Sequence, residues 1–312
     1  MKRTVYMLLL CTVFLPSITT NSLAKIHFKK KIKNFLSGFK LEKVNQQELP
    51  ALSIETISIH NIHGPITIKT GWKKDIISLK TIKRAKKEED LNNIKIVTST
   101  EGNNIAIKTK HVNNKLAGLV EYELIVPASL NIKLSIAGDG DVIINDVHGA
   151  INVVTNDSIT VTNSKQLVTA RTLKKGAIAI INSAGPVETQ THYGNITGDN
   201  IAHSFNAHST TGKIFVSYKT LPSTSSINLE TISGNIILAL PTDTNAEIRG
   251  HTLHGTLMSD HYITLRPYAT QLNTGAWNRF KKEVDGTLGT GEATIALHST
   301  NGNVKITEIK IA

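Results

Sequence analysis

The stretch from Val126 to Val153 reads VPASLNIKLSIAGDGDVIINDVHGAINV, and its pattern decides the fold. Apolar and polar residues alternate in short runs, as the two faces of a strand require, and the runs end at Gly, Asn, Asp or Ser. Each break has one form: a small or polar residue, then Gly, then one residue that is usually polar, then an apolar-polar-apolar strand. Outward from this stretch the break recurs at Gly64, Gly102, Gly140, Gly149, Gly185, Gly194, Gly212, Gly234, Gly255, Gly291 and Gly302. Glycine reaches positive φ without steric cost, so these are read as the turn glycines of a repeat.

Strands this short cannot bury a face alone, so neighbouring repeats must stack over one continuous core. The glycine spacings vary between 9 and 38 residues, which makes the stack irregular. The reading is an all-β chain forming an irregular β-solenoid over residues 49–312. Strands are expected at SIETISIH from Ser53, with a bulge or bend near Thr56 where the alternation slips, and at PITIKT, KIFVSY and NIILAL from Pro65, Lys213 and Asn235. One short helix is expected at Arg84–Asn93, while Thr274–Gly286 fits either helix or loop. The last strands, from Ala293 and Asn303, are read as an open edge blunted by Lys305, Glu308 and Lys310, which favours a monomer.

The chain begins with Lys2 and Arg3, an apolar run from Val5 to Leu15, and Ser22-Leu23-Ala24. That order matches an export signal cut after Ala24, and the run falls short of the roughly 20 residues of a membrane-spanning helix. Cys11 is the only cysteine and lies inside the signal, so no disulfide stabilises the mature chain. Residues 25–45 hold seven lysines against Glu42. Phe28, Ile32, Phe35, Leu36 and Phe39 fall at helical spacing, which predicts a basic amphipathic helix over 25–48. Lys29, Lys30, Lys31, Lys33 and Lys40 would face an anionic membrane or acidic polymer, or else the helix caps the following domain.

With 312 residues, 40% of them apolar, the chain can build a sizeable core, which excludes disorder and a disulfide-stapled miniprotein. Aromatics at 5% argue against an aromatic-rich sugar groove. The formal charge is +11, but its concentration near the N-terminus argues against nucleic acid as the partner.

The chain resembles the bacterial putative-adhesin β-strand repeat family, an exported domain of unknown function. The likeness lies in TISGNI at Thr231 followed by LALP ending at Pro241, in the stretch from Val126, and in STNGNVKI from Ser299. Asn235 and Ala150 stand where that family's repeat carries an acidic residue; Gly140-Asp141-Val142 keeps it. The resemblance implies an all-β, solenoid-like domain in an envelope setting and supplies no catalytic residues.

Two clusters invite chemistry. Asp139, Asp141 and Asp146 could form the acidic group of a polysaccharide-cleaving enzyme or a Ca²⁺ site, yet their alternation with Gly is what turns require. His203, His208, His251, His254 and His261 could gather a Zn²⁺ or Cu²⁺ ion, but lack the spacing of a known ligand motif. No nucleophile elbow, P-loop or dinucleotide fingerprint is present. The expectation is a non-enzymatic exported protein without cofactor, an adhesion or scaffold surface in the periplasm or at the cell surface. Its partners would be envelope polysaccharide, a surface protein or anionic membrane. The alternative is an envelope-stress or regulatory component that binds membrane lipid or a membrane partner through the basic N-terminal helix.

Overall fold

The computed structural model describes residues 38–71, 75–113, 117–266 and 282–309. The chain divides into Met1–Lys40 and Leu41–Ala312, and the fold below is that of the second unit. The export signal and Lys29, Lys30, Lys31 and Lys33 lie outside the described residues.

The first part contains β1 (Leu41–Pro50), β2 (Thr56–Asn61), β3 (Ile66–Thr70), β4 (Ile76–Ala85), helix α1 (Glu88–Asn93), β5 (Ile94–Glu101), β6 (Asn104–His111) and β7 (Leu119–Val126). A regular run follows: β8 (Asn131–Ile136), β9 (Val142–Asn145), β10 (Ile151–Thr155), β11 (Ile159–Thr162), β12 (Val168–Thr172), β13 (Ile178–Ser183), β14 (Val187–Tyr193), β15 (Ile196–Ile201), β16 (Phe205–Thr211), β17 (Ile214–Tyr218), β18 (Ser226–Ser233) and β19 (Ile236–Pro241). The last part is β20 (Ala246–Thr252), β21 (Leu257–Ser259), β22 (Thr264–Leu265), β23 (Glu283–Leu288), β24 (Ala293–Asn301) and β25 (Val304–Ile309).

The described residues form two sheets, one of twelve strands and one of thirteen. Through the regular run the odd-numbered strands enter the first sheet and the even-numbered strands the second, so the chain changes sheet at every turn. From β8 to β17 each strand pairs in parallel with the strand two further on, while β18 pairs in parallel with β24 and β19 with β25.

Inward side chains line up in rows because the pairing is in register. Ile132, Ile151, Val168, Val187, Phe205 and Ile227 form one row, and Val142, Ile159, Ile178, Ile196, Ile214 and Ile236 form its counterpart in the other sheet. All twelve are buried. A slip of one residue would turn a whole row to solvent, so the core itself holds the register.

A further inward row is polar. Thr155, Thr172, Thr191, Ser209, Thr231 and Ser299 follow one another in register and are fully buried. Their hydroxyls donate to glycine carbonyls: Thr155 to Gly140 at 2.8 Å, Thr172 and Thr191 to Gly176 at 3.1 and 3.0 Å, Ser209 to Gly194 at 3.2 Å, Thr231 to Gly212 at 3.1 Å and Ser299 to Gly234 at 2.9 Å. These bonds offset the cost of burying a hydroxyl in a dry core.

The glycines that accept them stand in a column. A Cβ on Gly194 would lie 2.0 Å from the Gly176 carbonyl oxygen, one on Gly212 2.0 Å from that of Gly194, one on Gly234 2.1 Å from that of Gly212 and one on Gly302 1.9 Å from that of Gly234. Gly255 continues the column over Gly302, while Gly149 and Gly185 lie as tightly over the carbonyls of Leu130 and Gln166. Positive φ therefore explains only part of the glycine pattern. Gly64 and Gly102 do adopt it, at 114° and 56°, but Gly140, Gly149, Gly185, Gly194, Gly255 and Gly302 do not; they are glycine because backbone occupies the place of a Cβ. Within the regular run, Asp146, Asn163, Asn182 and Asn200 take the left-handed conformation, at φ between 56° and 62°. Their side chains bond one to the next, at 2.6, 2.9 and 2.7 Å, in an exposed ladder.

Several sequence expectations are corrected at the ends of the stack. Residues 41–48, read as the end of the basic helix, belong to strand β1 (Leu41–Pro50), which pairs antiparallel with β4 along all ten of its residues. The helical apolar spacing stops at Phe39, and beyond it the backbone is satisfied by the ladder instead. Helix α1 begins only at Glu88, because Arg84 and Ala85 finish β4. Strand β2 starts at Thr56, so the slip in alternation there marks a strand end and not a bulge. The last strands do not form an open edge: β24 lies between β18 and β20, and β25 between β19 and β21. The sheets end there on the two-residue β22 and the three-residue β21, lengths that offer little edge for pairing.

Two buried tyrosines give the fold an alkaline limit. The Tyr122 hydroxyl meets Thr109 Oγ1 at 2.7 Å, and burial pushes its pKa up to about 12. The Tyr218 hydroxyl donates to the His203 carbonyl at 2.9 Å, and burial raises its pKa as well. An unfolded tyrosine ionises near 10. Above that pH the unfolded state releases a proton that folded Tyr122 keeps, so stability falls as pH rises through 10 to about 12. Tyr122 alone accounts for a loss of about 2–3 kcal/mol over that window, and Tyr218 adds in the same direction. Urea unfolding across this pH range should show the fall, and Tyr122→Phe should make it shallower; an equally steep fall in the variant would rule out Tyr122 as its source.

Candidate binding face

Side chains that point away from the core also form rows, and the two sheets differ in what they present. On the thirteen-stranded sheet one row runs Arg171, Gln190, His208, Glu230, His298, His251, Glu283 on successive strands. Beside it runs Lys133, Asn152, Thr169, Glu188, Asn206, Asn228, Ala296, Arg249, Asp285. Adjacent strands stand about 4.8 Å apart, so each row repeats a side chain at that interval, polar at every position but Ala296. The twelve-stranded sheet presents two rows of mixed character: Thr67, Ile143, Thr160, Ala179, Thr197, Phe215 and Ile237, all half-buried, and beside it Lys69, Asn145, Thr162, Ile181 and Asp199.

The charged end of the polar face is its most structured part. His208 Nδ1 lies 3.3 Å from Glu230 Oε2. The rings of His251 and His298, neighbours on β20 and β24, stack with centroids 5.4 Å apart and planes 11° from parallel. Next to them a shallow cavity of about 240 Å³ is bordered by Arg249, Glu283 and Asp285. Arg266 stands behind it, 3.0 Å from Glu247 and 3.6 Å from Asp285.

The acidic cluster read from the sequence does not assemble. Asp139 and Asp141 precede β9 and Asp146 follows it, so they occupy opposite ends of one strand. Each has a structural task. The Asp139 carbonyl accepts from Gly64 N at 2.9 Å, buried Asp141 accepts from Ser158 N at 3.0 Å, and Asp146 accepts from Asn163 Nδ2 at 2.6 Å.

The histidines scatter as well. His203 accepts from the amide of Ser204 at 2.8 Å, His254 donates its backbone N–H to Thr300, and His261 follows β21 in a turn. Only His208 and His251 reach the polar row. Among the described residues no three His, Asp or Glu side chains are placed to hold a metal ion. Lys40, the one described lysine of the five read as polymer- or membrane-facing, is exposed.

Sequence reasoning missed His298, Arg249, Glu283 and Asp285. Their signal is local: alternation puts Ala296 and His298 on one face of β24, opposite buried Ile295 and Leu297. Their convergence is not local, because β24 inserts between β18 and β20 across a long stretch of chain.

No family model and no curated protein matches the chain. It is similar to solved structures described as a putative adhesin from Bacteroides fragilis NCTC 9343, at 12% identity over 85% of this chain and 97% of that one with a TM-score of 0.45. It is similar also to a putative lipid binding protein from Parabacteroides distasonis ATCC 8503, at 11% identity over 86% and 97% with a TM-score of 0.41. A third is a putative cell adhesion protein from Clostridium sporogenes ATCC 15579, at 10% identity over 86% and 100% with a TM-score of 0.27. Two of the three bear the adhesin description that the sequence resemblance led one to expect. Likeness at this level assigns no function.

The turn role of Asp141 is testable. Asp141→Asn keeps an acceptor for Ser158 N and should leave the melting temperature nearly unchanged, whereas Asp141→Ala should cost about 1–2 kcal/mol. Neither Ca²⁺ nor a chelator should shift the melting temperature of the unaltered protein. A Ca²⁺-dependent rise that Asp141→Asn abolishes would overturn the turn reading.

Proposed function

We propose that the chain is an exported, non-enzymatic β-solenoid of the bacterial cell envelope, and that the polar face of its thirteen-stranded sheet is an adhesion or scaffold surface. The observation that carries this reading is the pair of in-register polar rows running from Lys133 to Asp285 and from Arg171 to Glu283. A polar group repeated at strand spacing meets a repeating partner at many points. Weak contacts then sum to avidity without one deep pocket. Envelope polysaccharide fits such a surface, as does a surface protein with its own repeat. Residues 1–24 act as the export signal, and the lysines of 25–48 add contact with anionic polymer or membrane.

Cells that display the protein should attach to beads coated with envelope polysaccharide. Replacing Arg171, Asn206 and Asn228 together by Glu should reduce attachment about tenfold or more, since several weak contacts are lost at once. Thr160→Glu with Thr197→Glu, on the other sheet, should leave it unchanged. Equal loss from both sets would sink the assignment to the polar face. Attachment that survives both sets but disappears when residues 25–40 are removed would favour the lipid- or partner-binding alternative through the basic segment.

A further inference from the structure

We infer that the hollow over Ala296 is a binding site for a single neutral hexose ring, the terminal or side-chain sugar of a glycan. This deepens the reading of the polar face as a contact surface and rests on it.

The hollow has a simple origin. In its row every neighbouring position carries a longer polar side chain, with Asn228 on one flank and Arg249 then Asp285 on the other. Ala296 is exposed and is the one position in that stretch without reach, so a cavity of about 240 Å³ opens above it. That is smaller than the roughly 300–1,000 Å³ of pockets for drug-sized ligands. One sugar ring suits it.

The walls differ in chemistry. His298, His251 and Arg249 stand on β24 and β20 and offer N–H groups. Glu283 and Asp285 project from the same side of β23, two residues apart, and offer carboxylate oxygens. The register sets His251 beside Glu283 and Arg249 beside Asp285, with β20 between β24 and β23, so donors and acceptors alternate as neighbours around the cavity. The rings of His251 and His298 stack on each other at its border.

Charge selects the ligand class. An anion entering the hollow meets Glu283 and Asp285, and a cation meets Arg249 with Arg266 behind. A neutral polyol meets neither penalty. Each sugar hydroxyl both donates and accepts, so adjacent hydroxyls can bond to a carboxylate and to a guanidinium or imidazole together. Among the described residues that line the site there is no Trp, Tyr or Phe, so recognition by these residues runs through hydrogen bonds.

The test is a titration of the full chain with methyl glucoside, methyl galactoside and the methyl glycoside of N-acetylglucosamine, followed through the imidazole resonances of His251 and His298. At least one of the three should move both resonances in a saturable way, with weak affinity. Ala296→Tyr fills the hollow and should abolish the shifts, while the isosteric Glu283→Gln should weaken binding about tenfold. The melting temperature of each variant establishes that it folds, and Glu283→Gln carries the test if Ala296→Tyr does not. No saturable shift with any of the three sugars at the highest soluble concentration would overturn the proposal, as would undiminished binding by both variants. Monovalent binding in solution does not depend on export or display. Failed cell attachment with intact sugar binding thus counts against the surface reading, and the reverse result counts against this site.

Discussion

At Gly176, Gly194, Gly212, Gly234 and Gly302 the backbone of one turn occupies the space in which the next residue would carry its Cβ. This approach of carbonyl to α-carbon is the contact on which the stack depends. It brings successive turns within hydrogen-bonding distance, so that the Gly194, Gly212 and Gly234 amides continue the ladder through the turn to Thr211, Ser233 and Asn301. It also leaves each glycine carbonyl pointing inward, where a buried Thr or Ser hydroxyl meets it. Were the turns held further apart, the hydroxyl row would lose its acceptors, and each buried hydroxyl would cost its full desolvation.

The in-register stacking that the glycines permit also shapes the surface. Inward rows of Ile and Val fix the register, and the outward rows inherit it whatever their chemistry. The long polar rows of one sheet and the mixed rows of the other are therefore the result of where residues fall in an alternating pattern. The regular run leaves no room for a deep pocket on its flat faces. Departures from flatness arise where the pattern breaks, as at Ala296, where a small residue meets the antiparallel β20 and β23.

Much of this was legible in the sequence, for local reasons. Alternation placed β3, β17 and β19 within a residue or two, because strand period is a property of adjacent residues. The glycines were legible as positions but not as reasons: in a sequence, a glycine under a carbonyl and a glycine at positive φ look alike. Gly102 and Gly194 show the two cases, one with open space around a would-be Cβ at φ 56° and the other pressed against Gly176. The Asn ladder was hidden because Asn163, Asn182 and Asn200 are spaced 19 and 18 residues apart, and only stacking makes them neighbours. Register across the insertion of β24 was beyond any local pattern, which is why His298 and Arg249 were missed while His251 was noticed for the wrong partners.

The measurement that bears most directly on this account is the urea-unfolding stability of Gly194→Ala beside that of Gly102→Asn. Alanine at 194 would place its Cβ 2.0 Å from a backbone oxygen that cannot yield without moving the turn below, so a loss of about 2–3 kcal/mol is expected. A Cβ at 102 meets nothing within 4 Å and asparagine tolerates the left-handed backbone, so its effect should stay within about 0.5 kcal/mol. A Gly194→Ala protein as stable as the unaltered chain would contradict the account, since the turns would then not be held at the distance on which the hydroxyl row, the register and the outer rows all rest.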